Sequence, residues 1–270
     1  ALDQGVQTAL YTVERAGATV PVYAGCARPL IQAPRTAELA HGTDGMGDIG
    51  LPVRGRAPAA GHAVDVLIEL AHAHAPGELT LVTLGPLTNV AAALVRDPSI
   101  AARFREIVIM GGTSGGLGNI TGAAEYNIWA DPEAAAIVYG CGAPLVQVGW
   151  DISRKYATYD AAQAAELRAV GPLGAFAVDI QCVLNELALK VTGLPGFDLA
   201  DPVAMAVALE PSIATDVREW NVAIETRGEL TRGMTVCDLT GYSGRPRNVR
   251  VVVEASRERF GALLADLLRD

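Results

Sequence analysis

The sequence predicts an α/β protein built on an open, mostly parallel sheet with helices on both sides. Short β-branched or apolar runs alternate with alanine-rich helical stretches, the pattern of successive strand and crossover helix. Helix start and stop signals separate several of these runs, the clearest being Asp131 and Pro132 before the helix PEAAAIVY and Gly140 after it. Polar, glycine-rich segments follow three of the strands, where a parallel sheet places its ligand.

In order along the chain, residues 10–16 end a helix and residues 20–23 read as a strand. A helix follows over 61–73, with Val64, Leu67, Ile68 and Ala71 at helical spacing. Strand 79–84, helix 87–95 and strand 107–110 come next, then the capped helix 132–140 and strand 145–148. The second half predicts helices over 161–170, 172–189 and 201–209 and strands over 220–225 and 249–253. Residues 256–268 place Phe260, Leu263, Leu264 and Leu267 on one face of a last helix that docks on the body. With no internal repeat and no linker, residues 1–270 read as a single domain.

Half of the 270 residues are hydrophobic and 19% are charged, which supplies a core and excludes the disordered and fibrous classes. The net charge of −9 comes with no basic run, so neither nucleic acid nor a membrane surface is an expected partner. Mean hydropathy is +0.27. It comes from Ala and Val, and no apolar stretch approaches the ~18 residues of a membrane span. The N-terminal stretch carries an early acid and no positive flank, unlike a secretory signal, so a soluble cytoplasmic protein is expected. Cys26, Cys141, Cys182 and Cys237 are scattered without metal-ligand spacing and read as reduced core thiols.

The segment 111–127 packs six glycines with Asn119, Glu125 and Asn127 between a strand and a helix. Glycines let a ligand approach the backbone, and a carboxylate with two amides suits the hydroxyls of a sugar. A long surface loop with local Asn turns explains the same spacing. Gly112, Gly116 and Gly118 also form G-x-x-x-G-x-G, but the helix and the Tyr-x-x-x-Lys pair of a short-chain dehydrogenase are missing. His41, in HGTDGMGDIGLP with Asp44 and Asp48, is either a ligand contact or proton shuttle or a surface histidine. His72 and His74 point to different helix faces, which favours a contact with the helix dipole over a metal site. Asp201, just before Pro202, reads as a helix N-cap and equally as an oxygen ligand for a hard cation.

The motifs PVYAGCARPL, HGTDGMG, LTLVTLGPLTNVAAAL, IVIMGG, GNITGAAEYNIWADPEAA and LADPVAMA occur in this order. In them the whole chain resembles the inosine/uridine-preferring nucleoside hydrolase family. The resemblance implies a deep pocket with one Ca²⁺, a homodimer or homotetramer, and a small-molecule nucleoside substrate split into ribose and free base during purine and pyrimidine salvage. Matched motif by motif, Asn119, Glu125 and Asn127 would hold ribose hydroxyls, while Asp201 and the Leu84 carbonyl would bind Ca²⁺ and His41 would lie near the base. Cleavage through a cationic, oxocarbenium-like sugar explains a site rich in carboxylates and a calcium-bound attacking water.

Two departures qualify that likeness. The family's D-x-D-x-x-x-D-D cluster and its Gly-Asn are not in the 270 residues, which implies that a first strand-helix-strand unit of roughly forty residues is missing. The water-activating aspartate is accordingly expected upstream of Ala1. An unpaired strand edge and a weak or inactive hydrolase are then expected, with a non-catalytic nucleoside- or ribose-binding relative as the alternative. Ala200 stands where many relatives carry a histidine tied to the leaving base, so leaving-group activation is expected to differ.

Overall fold

A computed structural model describes residues 2–269, so that Ala1 and Asp270 lie outside the described residues. The chain runs through α1 (Leu2–Arg15), α2 (Glu38–His41), α3 (Ala63–Ala73), β1 (Thr80–Thr83), α4 (Thr88–Arg96), β2 (Glu106–Met110), α5 (Tyr126–Ala130), α6 (Pro132–Tyr139) and β3 (Leu145–Val148). It continues with α7 (Trp150–Tyr156), β4 (Thr158–Asp160), α8 (Ala161–Arg168), α9 (Pro172–Asp179), α10 (Cys182–Leu187), β5 (Gly196–Asp198) and α11 (Ala200–Leu209). The last elements are β6 (Ala214–Ile224), β7 (Thr235–Asp238), β8 (Val249–Ala255) and α12 (Arg257–Leu267).

Six strands form a sheet in the order β1-β2-β3-β8-β6-β7. The first four are mutually parallel, and β6 pairs antiparallel with both β8 and β7. The fold class read from the sequence is therefore the one observed. Strand β2 is apolar from Ile107 to Met110, and β3 is apolar except for the buried Gln147, because both of their faces are covered. Alternation along β2 divides the core: Ile107 and Ile109 pack with α3, α4 and α6, while Val108 and Met110 pack with α7, α11 and α12. A small third cluster of Tyr11, Met46 and Val53, joined by Phe176 and Ile180, fastens α1 and the segment after α2 to α9.

Asp131 caps α6 as its sequence predicts, its Oδ1 accepting from Ala134 N at 3.1 Å. Its Oδ2 also accepts from Thr88 Oγ1 at 2.7 Å and from Leu30 N at 2.9 Å, although the residue is fully buried. One carboxylate thus ties α6, α4 and the segment before α2 together.

Several expectations fail for identifiable reasons. Residues 20–23 form no strand: Pro21 has no amide to give a ladder, Val20 is exposed, and only an isolated bridge joins Tyr23 to Ala59. The single helix expected over 172–189 is two helices, α9 and α10, bent by 47° at Ile180–Gln181, with a π turn over Ala188–Thr192. Asp201 is not an N-cap: α11 begins one residue earlier, after Leu199, with no side-chain cap. Cys182 is exposed, unlike a core thiol. The elements α7, β4, β5 and β7 are too short or too polar to carry a periodic signal, and β6 starts six residues before the expected Trp220. Among the described residues no single helix is long and apolar enough to cross a membrane, although α9 with α10 and its π turn passes that test as a bent pair.

Replacing Asp131 with Ala strands three donors at once, two of them buried, and should cost about 2–4 kcal/mol of unfolding free energy in urea denaturation.

Candidate active site

The site begins where β2 ends. Gly112 has φ +66°, and a Cβ there would lie 2.3 Å from Thr235 Cγ2, so only glycine lets the chain turn against β7. Thr235 Oγ1 accepts from Thr113 N at 2.9 Å and donates to Thr113 O at 2.7 Å. Ser114 donates to Asp151 Oδ2 from its amide (3.1 Å) and its hydroxyl (2.5 Å). The leading foot of the loop is thereby fixed to both β7 and α7. Further on, Asn119 N and Ile120 N donate to Ala124 O, closing a tight return in which a Cβ on Gly118 would meet Thr121 O at 2.1 Å.

That return delivers Glu125 to the start of α5, where its carboxylate caps the helix. Oε1 accepts from Asn127 N at 2.9 Å, and Oε2 accepts from Gly112 N at 2.9 Å and Ile128 N at 3.4 Å. The residue is 3% exposed. Burial pushes its carboxyl up to about 7 against the pull of those three amides, and the charge of Asp201 adds to the rise. Asn127 is buried beside it and donates from Nδ2 to Met110 O at 3.2 Å. Asn119 is exposed, its Oδ1 accepts from Tyr126 N at 2.8 Å, and its Nδ2 has no partner among the described residues.

Asp201 lies in the first turn of α11, which packs against β1 and β2. Its carboxyl is pushed up to about 7, first by the protein crowded around it and then by the charge of Asp198. Solvent still reaches it, because Asp201, Met205 and Leu209 form one uncovered stripe on the helix. Leu84, just after β1, is 40% exposed. Glu125, Asn127 and Asp201 are thus brought together at the carboxyl ends of the parallel strands, and Glu125 and Asp201 are close enough to feel each other's charge.

His41 ends α2, which packs on α10, and among the described residues no hydrogen bond joins its ring to the other candidates. Surrounding protein lowers its pKa, which favours a neutral imidazole. His72 and His74 do not share a ligand position: His72 Nε2 lies 2.7 Å from Asp97 Oδ2, and His74 Nδ1 lies 3.0 Å from Leu70 O. Ala1, upstream of which the water-activating aspartate is expected, lies outside the described residues. Sequence reasoning missed Asp198, buried on β5, and the anchoring role of Asp151. Asp151 does lie in GWDIS, one of the three polar segments that follow a strand, and a carboxylate inside the apolar run GFDLA was the available sign of Asp198.

A hard cation such as Ca²⁺ takes about six to eight oxygens. The Asp201 carboxylate and the Leu84 carbonyl have the right chemistry, but among the described residues no three His, Cys, Asp or Glu side chains come together as a metal site. The donors among the described residues do not by themselves fit a calcium ion. Two surface clefts elsewhere, between α8 and α12 and at the amino ends of β3 and β8, include no residue from the carboxyl end of a parallel strand.

The sequence profile of the inosine-uridine preferring nucleoside hydrolases matches residues 1–262. A pyrimidine-specific ribonucleoside hydrolase RihA from Salmonella agona (strain SL483) is 39% identical over 253 residues, 93% of this chain and 80% of that protein. Among solved structures, the plant nucleoside hydrolase PpNRh1 superposes with a TM-score of 0.90 at 32% identity, covering 99% of this chain and 86% of the other. The purine-preferring ribonucleoside hydrolase from Gardnerella vaginalis gives 0.88 at 28% identity, covering 98% and 86%.

Because the folded state raises the Glu125 pKa above its ordinary 4.5, the stability that this proton brings is complete below about 4.5 and is lost as pH rises through about 7. Denaturation midpoints measured from pH ~5 to ~8 should therefore fall more steeply for the native chain than for Glu125→Gln, which holds no titrating proton there.

Proposed function

The chain belongs to the inosine-uridine preferring nucleoside hydrolase family and is an N-ribosylhydrolase, and we propose that the Glu125, Asn127 and Asn119 loop beside Asp201 is where the ribose of its nucleoside substrate is held. The observation that carries this reading is the burial of Glu125 and Asn127 on one rigid return at the carboxyl end of β2, opposite a second carboxylate. Acceptors on the ribose hydroxyls fix the ring in place. Ionised Glu125 and Asp201 oppose the positive charge that grows on the sugar as the C1′–N bond breaks. The oxygen of a water then bonds to C1′, one of its protons goes to the departing base and the other stays on the new hydroxyl. Ala200 has no proton to give, so the base is protonated from elsewhere, and His41 is assigned to the base side.

The reading includes a covering unit. Among the described residues strand β1 pairs only with β2, and the stripe of Asp201, Met205 and Leu209 on the neighbouring helix, with Leu84, is uncovered on the same side of the sheet. Parallel strands are normally covered and paired. A strand-helix-strand unit on that edge, bearing further carboxylates, would complete the oxygen set for Ca²⁺ and supply the base for the attacking water. We also take the protein to be a cytoplasmic homodimer or homotetramer of nucleoside salvage, on the strength of the family resemblance.

Ribose release from uridine and inosine tests this with the 270-residue chain and a version extended upstream of Ala1. The extended protein should turn over with Ca²⁺ present, and the shorter chain should be at least ~100-fold slower. Glu125→Gln in the extended protein should lower kcat/KM by about 100-fold. Full turnover by the 270-residue chain would remove the need for the covering unit, and nucleoside binding without turnover in either version would favour the non-catalytic binder.

A further inference from the structure

The carboxylate of Asp198 takes no part in the mechanism above, yet it is 7% exposed and lies three residues before Asp201. Its Oδ2 is 2.5 Å from Ser153 Oγ, and the same Oγ is 3.0 Å from Trp150 O. A serine hydroxyl has one hydrogen. It can satisfy only one of these two acceptors, and the other short O···O contact then needs a hydrogen from its partner. Only the carboxyl can supply it, because a peptide carbonyl has none.

From this count of hydrogens we propose that Asp198 is a neutral acid that donates to Ser153 Oγ, which donates in turn to Trp150 O, and that this clasp seats the start of α11 and so positions Asp201. The clasp joins β5 to α7. It acts where α11 has no side-chain cap and where the backbone is held by Leu199 N donating to Ala157 O at 3.0 Å. Among the described residues no cation forms an ion pair with Asp198. Arg154 on α7 is the charged group facing it that favours ionisation, but its guanidinium lies 4.6 Å over the Trp150 ring. The Trp150 indole acts in the same sense as Arg154, and the like charge between Asp198 and Asp201 on α11 is felt at Asp201, whose carboxyl it raises. From β4 the residue opposite is Thr158, and Lys190 on the π turn is occupied by Glu186 at 2.7 Å. Burial outweighs the favourable contacts and raises the Asp198 pKa. With Asp198 neutral, Asp201 is relieved of that like charge, and the burial around it is what still holds its carboxyl up.

The infrared C=O stretch of protonated carboxylic acids, recorded at pH ~6 where ordinary carboxylates are ionised, tests the protonation without any assay of hydrolysis. With Asp201→Asn as the shared background, so that no change in Asp201 enters the difference, the spectrum of the parent chain minus that of Asp198→Asn should contain one protonated-acid band, and Ser153→Ala should shift that band. No band in the difference would overturn the proposal. The positioning role rests on the hydrolase reading and is tested in the extended protein. There Asp198→Asn, whose amide donates to Ser153 in the same way, should keep kcat/KM within about 3-fold, and Asp198→Ala should lose at least ~10-fold. An Asn variant as impaired as the Ala variant would overturn the clasp, whereas an extended protein that is inactive throughout would fault the hydrolase reading and leave the infrared result standing. Should the Ala variant not fold, Ser153→Ala takes its place in the activity comparison.

Discussion

The site depends on one buried carboxylate that has two tasks. Glu125 accepts from the amide of Gly112 at the end of β2 and from the first amides of α5, so the strand, the glycine loop and the helix converge on its two oxygens. A carboxylate is costly to bury unless donors surround it. Here the donors are backbone amides that need an acceptor for their own sake, and the requirement is mutual. The group that would steady a cationic sugar is therefore also the group that holds the loop together. Its position is set by secondary structure and not by a flexible side chain reaching in from the surface.

The sheet and its flanking helices were legible because their signals are local and repeated. Apolar runs marked β2 and β3, and Asp131 with Pro132 and Gly140 marked both ends of α6. What could not be read was decided by contacts distant in sequence. The break between α9 and α10 falls at Ile180–Gln181, where no proline or glycine marks it, and the Ile180 carbonyl there faces Gly47. The start of α11 precedes Asp201 because backbone pairing with Ala157, and not a side-chain cap, sets it. Asn119, Glu125 and Asn127 could be picked out as candidates from spacing, but nothing in their spacing reveals that the Glu125 carboxyl is also the N-cap of α5. Asp198 shows the opposite case, an acid whose neighbours Ser153 and Trp150 come from a helix about 45 residues earlier.

The uncovered stripe on α11 and the open side of β1 give the present chain an asymmetry. One end of the sheet is finished by the antiparallel β6 and β7, while the other stops at a short parallel strand. Among the described residues, Asp201 and the edge strand β1 lie on neighbouring elements at the same end of the sheet.

The seating of the segment after α2 has a mechanical consequence. Gly47 accepts a hydrogen bond from the Cys182 thiol, and its Cα packs so closely on the Ile180 carbonyl that a side chain there would overlap it at 2.7 Å. His41 is tied to Gly47 through its own carbonyl, and Gln4 on α1 holds Asp44 in the same segment. The imidazole is therefore geared to the elbow between α9 and α10. A swing of that elbow would carry His41 along as a passenger, so the placement of the ring would follow the angle between the two helices.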